Sequence, residues 1–193
     1  AFPLLMTMQI SWQQLTDAIL SCTACPLCQG IRNKVPGQGN PHARLMLIGE
    51  GPGAQEDEQG LAFVGAAGQL LTRMLAAIDI TREEVFIANI VKCRPPGNRQ
   101  PTPQEAEQCL PYLRGQVALI RPQVIMLMGA TALRHTISPD ARITSARGKW
   151  IERAGVWMMP TYHPAALLRD PAKKRDAWED LKMVRDKLQE LSV

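Results

Sequence analysis

LMLIGEGPG, residues 45–53, passes from an unbroken apolar run into a turn of small residues, with Glu50 where the run ends. A short apolar run bounded by glycine reads as a strand buried on both faces, the usual appearance of strands in a parallel sheet. Residues 85–91, 124–129 and 156–162 repeat the pattern, each bounded by glycine, proline or charged residues. Between the runs lie amphipathic segments. Leu70, Leu71, Met74, Leu75 and Ile78 recur at helical spacing, as do Trp178, Leu181, Val184, Leu188 and Leu191, and both sets read as core-facing stripes. Strands alternating with helices predict an α/β domain built on a central, mostly parallel sheet of four strands.

Outward from that frame, a helix around Trp12, Leu15 and Ile19 delivers Cys22 and Cys25 to a turn at its end. Thr102, Pro103 and Glu105 supply an N-cap, a first-turn proline and a capping-box acid for a helix carrying Cys109. Pro111 is expected to kink or interrupt that helix. RPPGNRQPTP, residues 94–103, is the clearest long loop. Its Arg94 and Arg99 read equally as phosphate contacts or as part of a solvated connector.

The 193 residues, 46% hydrophobic, suit one domain, since single domains commonly run to roughly 100–200 residues. Residues 1–10 read as an N-terminal extension and 11–193 as one domain with the cysteine-bearing segment at its start. Twenty-two Lys and Arg against 18 Asp and Glu leave a charge of +4, which permits a polyanionic partner without demanding one. Nothing approaches the run of about 18 apolar residues that a membrane helix needs. The opening AFPLLMTMQISW lacks the basic start and long apolar stretch of a signal peptide. A cytoplasmic chain is expected, and without heptads a monomer with no obligate protein partner.

In a reducing compartment, five cysteines suit metal ligation or plain burial better than disulfides. Cys22, Cys25 and Cys28 form CxxCxxC, while Cys93 and Cys109 lie far downstream with fifteen residues between them. Zinc and a [4Fe–4S] cluster both accept four thiolates. A close pair with two scattered partners leans toward the cluster, and unliganded buried thiols remain open.

Strand ends are where ligands bind in open α/β sheets. Gly49, Gly51 and Gly53 let a substrate approach the backbone around Glu50. Glu56 and Asp57 follow, and a carboxylate can activate water. Phe63, in GLAFVG, could stack on a base, although alone it reads more readily as a cap on the core. Asn89, late in the second run, offers both donor and acceptor, as reading a pyrimidine edge requires, and serves a loop equally well. His163 follows the fourth run; alone, a structural role fits it better than a donor to a leaving group. His42 and His135 have less context. Leu167, in a loop after His163, reads as an apolar wedge for a base stack.

Three segments taken together, GEGPGAQEDEQGLAFVGAAGQLL (49–71), NIVKCRPPGNRQPTPQE (89–105) and TYHPAALLR (161–169), resemble the signature regions of the family 4, iron–sulfur uracil-DNA glycosylases. The resemblance implies a three-layer fold with the sheet flanked by helices, and hydrolytic release of uracil from DNA, leaving an abasic site. It also implies a structural [4Fe–4S] cluster on Cys22, Cys25, Cys93 and Cys109, with Cys28 outside the pattern. Uracil flipped from the helix would stack on Phe63, with its edge held by Asn89 and by backbone N–H groups around Gly49, Glu50 and Gly51. His163 would donate to the departing base. Glu50, or failing that Glu56, would activate water, because Gly51 stands where better-known glycosylases of this fold carry an aspartate. Gly53 stands where those relatives use a bulky aromatic to exclude thymine, so that rejection must arise elsewhere. Leu167 would be the wedge and Arg169 a phosphate contact. RPPGNRQPTP lacks the histidine with which some relatives bond covalently to DNA, which implies simple hydrolysis.

Two other classes compete. A non-enzymatic DNA-binding module would use the pocket residues only for folding, and an electron carrier would need reversible reduction of the cluster.

Overall fold

The computed structural model describes residues 10–192, so the expected extension, apart from its last residue, lies outside the described residues. One sheet runs in the order β1-β3-β2-β4-β6-β5, with β1 Gln38–Gly39, β2 Leu45–Gly49, β3 Phe86–Asn89, β4 Val124–Met128, β5 Ile151–Arg153 and β6 Val156–Thr161. The four apolar runs are its four central strands, all parallel. The sheet is larger than the sequence suggests, because β1 and β5 add short antiparallel edges. Neither edge is an apolar run, being Gln-Gly and Ile-Glu-Arg, so hydrophobic patterning passes over both.

The helices are α1 Trp12–Leu20, α2 Ala54–Gln59, α3 Ala66–Ala76, α4 Pro103–Ile120, α5 Ala130–Thr136, α6 Ile143–Ala146, α7 Pro164–Arg169 and α8 Lys174–Glu190. Side chains alternate across each strand, so every central strand serves two cores. Leu45, Leu47, Val124 and Met126 pack with Leu71 and Leu75 of α3 and Leu181 and Val184 of α8. Met46, Ile48, Ile125 and Leu127 pack on the opposite face with Ala106, Leu110 and Leu113 of α4. The result is a helix–sheet–helix sandwich.

Three local details explain particular residues. The α8 stripe is Ala177, Leu181, Val184 and Leu188. Trp178, one position further round the helix, is therefore not a core residue; it is 37% exposed, with the Lys182 ammonium 5.8 Å from its ring. Pro111 does not interrupt α4, which runs through it. The carbonyl that its missing N–H would have served belongs to exposed Glu107, where water can satisfy it. Ser11 caps α1 in a reciprocal box with Gln14, and α1 places Leu15 and Ile19 against Tyr112 of α4. No helix among the described residues is long and apolar enough to cross a membrane.

From β2 the chain moves to β3 on one side and then returns to β4 on the other. Such a reversal leaves a crevice at the carboxyl ends of the strands. Gly129, at φ +93° just after β4, keeps that crevice narrow, since a Cβ there would lie 3.0 Å from His163 Cβ.

Candidate active site

A cavity of about 620 Å³ opens where the crevice is predicted, lined among others by Glu50, Gly51, Gly53, Glu56, Phe63, Asn89, His163 and Arg169. These residues come from three separate strand ends, those of β2, β3 and β6, and the segments that follow them. Gly49, which ends β2, lies behind two of them: a Cβ on it would sit 2.6 Å from Phe63 Cζ and 2.7 Å from Asn89 Oδ1. The absence of a side chain there lets ring and carboxamide meet.

Asn89 ends β3 and is 1% exposed, and its Oδ1 has no hydrogen-bond partner. A buried, unpaired acceptor costs free energy on the order of 1–3 kcal/mol. This one belongs to a residue lining the cavity, where a ligand N–H can satisfy it.

Phe63 has a left-handed backbone, φ +53°, which a non-glycine residue adopts only when its surroundings hold it there. Arg82 does so, donating to the carbonyls of Phe63 at 2.5 Å and Ala62 at 2.7 Å. Gly68 makes room on the other side, since a Cβ there would fall 1.9 Å from the Phe63 carbonyl oxygen. The ring centroid lies 5.4 Å from that of His163.

His163 caps α7 by accepting the Ala165 N–H at Nδ1, 3.0 Å away. With Nδ1 an acceptor, the proton of the neutral ring resides on Nε2, which can donate. Burial, with a smaller contribution from the Arg169 cation against an opposing one from Glu56, pushes His163 down to about 4. At neutral pH the site therefore holds an uncharged donor.

Two carboxylates face different fates. Glu50 accepts a hydrogen bond from Thr131 Oγ1, in the first turn of α5, through Oε2. Glu56 accepts from three backbone N–H groups, of Gly53 at 3.0 Å, Val64 at 2.8 Å and Gly65 at 2.7 Å. It ties the Gly53 turn to the loop that follows Phe63 and has little capacity left for a water. A Cβ on Gly53 would be 2.8 Å from Glu56 Oε1, so Glu56 fills the space beside that glycine. At Gly51 a Cβ would lie 2.8 Å from Val91 Cγ2, so an aspartate there would displace Val91.

Leu167 departs from expectation. It is 1% exposed and packed in the core, so its side chain is not presented to DNA. The segment after His163 is a helix rather than a loop, and Leu168, the next position round it, is the one that emerges, 44% exposed. Arg169 and Lys173 line the cavity beside it.

The cysteines gather around a second cavity, lined by Cys22, Cys25, Cys28, Cys93 and Cys109 with Lys92 and Tyr112 and without carboxylate or imidazole. Backbone N–H groups point at two of the sulfurs, Ala24 to Cys22 at 3.4 Å and Lys92 to Cys109 at 3.3 Å. Among the described residues no three His, Cys, Asp or Glu converge on a single metal position; the thiols surround a volume. Burial pushes Cys93 up to about 12 and Cys109 to about 11, so a cationic iron core is what would let them ionise. Soft thiolates with N–H···S bonds fit an iron–sulfur group. Cys25 and Cys28 both reach the cavity.

Thr131, Arg82 and Lys92 are absent from the sequence reading. Thr131 follows a strand end, which is a usable signal. Arg82 acts across 19 residues on Phe63 and leaves no local trace.

A fold with its crevice at this switch point, walled by an aromatic, an amide and a neutral histidine, belongs to a known class. The chain belongs to the uracil DNA glycosylase superfamily, whose family model matches residues 36–182. Within it, three relatives that the chain resembles over most of its length are of one kind. The chain is 45% identical over 179 residues to the type-4 uracil-DNA glycosylase of Pyrobaculum aerophilum, covering 89% of this chain and 91% of that one. It is 44% identical over 171 residues to that of Thermotoga maritima, covering 86% and 89%, and 41% over 185 to that of Sulfurisphaera tokodaii, covering 91% and 84%.

Proposed function

We propose that this chain hydrolyses the N-glycosidic bond of uracil in DNA, releasing the base and leaving an abasic site. The observation that carries the reading is the unpaired Asn89 Oδ1 beside the Phe63 ring. A flipped uracil satisfies both, stacking on the ring and giving its N3–H to the amide oxygen. As the C1′–N1 bond breaks, its electron pair moves onto the base and charge collects on O2, where His163 Nε2–H donates. Such a donor is worth most in the transition state. Water bonds to C1′ and gives up its proton to Glu50, whose Oε2 is held by Thr131 and whose Oε1 has no hydrogen bond among the described residues. The same carboxylate faces the positive charge developing on the sugar. Glu56 braces the loop and walls the side of Gly53, the natural place to refuse a 5-methyl group.

Four thiolates of the Cys22, Cys25, Cys93 and Cys109 set, with Cys28 beside them, would hold a [4Fe–4S] cluster that pins the end of α1 to the loop after β3. Arg169 and Lys173 line the cavity and would grip the phosphates that flank the flipped nucleotide. Leu168 takes the role of wedge. Leu168→Ala should lower the rate on duplex substrate several-fold more than on single strands, with Tm unchanged. Leu167→Ala should instead lower stability by about 2–5 kcal/mol. If Leu167→Ala proves the variant selective for duplex, the wedge assignment is wrong.

The direct test uses a labelled oligonucleotide with one uracil, alkaline cleavage of abasic sites, a matched thymine control and Glu50→Gln. Strand cutting at uracil alone, lowered by roughly 10²-fold or more in the variant, fits a positioned general base. Intact DNA binding without cutting would leave a binding module as the answer.

A further inference from the structure

Lys92 is fully buried, and its ammonium has unusual company. It donates to the main-chain carbonyl of Asn89 at 3.1 Å and to Gln116 Oε1 at 2.8 Å. Both acceptors are neutral, and no ion pair to Lys92 is formed among the described residues. Gln116 is itself fixed, since its Nε2 donates to the Pro36 carbonyl at 2.8 Å, which turns the oxygen toward the lysine. A buried cation satisfied only by neutral oxygens is costly unless a negative charge lies close by.

The charge can come from the other side. Two lysines line the thiol cavity, Lys92 and the partly exposed Lys34, whose ammonium donates to the Leu20 carbonyl at 3.1 Å. Of the two, Lys92 is the buried one, its own N–H donates to Cys109 Sγ at 3.3 Å, and Cys93 is the next residue. Lys92 does not line the uracil cavity, so its amine is not placed to attack C1′. Its link to that cavity runs through Asn89, whose carbonyl it grips from behind while Oδ1 stands unpaired in front.

We propose that Lys92 is the buried counter-ion of the anionic, thiolate-bound cluster and the positioning residue that ties that charge to the uracil-reading Asn89. This rests on the iron–sulfur reading above. The cluster then does more than fasten the N-terminal segment, because removing it strands a cation directly behind the base-reading strand end.

The test uses the holoprotein, with iron and sulfide quantified in every preparation. Lys92→Met removes the cation, and Gln116→Glu keeps the lysine but offers it a competing carboxylate. Both should move the cluster's midpoint potential to more negative values, since a nearby positive charge favours the reduced form. Both should also shorten its lifetime against a chelator. A third readout is affinity for an oligonucleotide carrying 2′-fluoro-2′-deoxyuridine against its thymidine counterpart, and that preference should fall about tenfold in Lys92→Met. Unchanged potential and lifetime in iron-replete variants would overturn the counter-ion role. An unchanged preference would overturn the link to Asn89. Wild-type protein purified without iron and sulfide would instead bring down the cofactor reading itself.

Discussion

His163→Ala is expected to slow single-turnover uracil release by roughly 10²–10³-fold, the usual cost of removing one donor to a developing oxyanion. Substrate affinity should change much less, because the hydrogen bond gains most of its strength as the base becomes anionic. The donor is neutral, since burial and then Arg169 push His163 down to about 4. The wild-type rate should therefore show no loss from this group between pH 8 and about pH 5. Stability carries a second signature of the same shift. As pH falls below the ordinary value of 6.5, the unfolded chain takes up a proton that the folded ring refuses until about 4. Stability should decline through that window by about 3 kcal/mol. Thermal denaturation of His163→Ala against pH should lack that decline, and a variant curve parallel to wild type would rule the buried neutral imidazole out.

Gly49→Ala should be as damaging through geometry alone. Its Cβ would come within 2.6 Å of Phe63 Cζ and 2.7 Å of Asn89 Oδ1, and real Cβ atoms do not approach so closely. Either the ring or the amide must withdraw, and with it the stack or the hydrogen bond. Each is worth about 1–3 kcal/mol, so binding of the flipped base should weaken roughly 5–150-fold. Binding to DNA without uracil should stay near wild type, since the atoms closest to the added Cβ belong to Phe63 and Asn89. A crystal structure of the variant with an unmoved Phe63, or a wild-type preference for uracil, would refute the account.

Much of this was legible in the sequence because the chemistry sits at strand ends. LMLIG, the run from 85 and the runs from 124 and 156 are apolar enough to declare themselves, and Glu50, Asn89 and His163 mark where each of three stops. What stayed hidden depends on direction rather than spacing. Leu167 and Leu168 are adjacent and chemically identical, and the helical turn of α7 decides which faces the core. Glu50 and Glu56 look alike until three backbone N–H groups are seen to converge on the second. Lys92 carries no signal in VKC that would place it inside, and its burial emerges only when α4 brings Gln116 to its ammonium.

The two edge strands carry a consequence for how the chain behaves in concentrated solution. A sheet of parallel apolar strands with an open rim is a template on which other chains can pair and aggregate. Here β1 contributes two residues, and Gly39 at φ +128° is so close that a Cβ would fall 1.9 Å from the Val85 carbonyl oxygen. At the other rim, β5 offers three residues ending in Glu152 and Arg153, and Arg153 reaches away to the carbonyls of Thr136 and Ile137. Neither rim presents a run long or apolar enough to seed edge-to-edge pairing, so colloidal behaviour is protected by the least conspicuous strands of the fold.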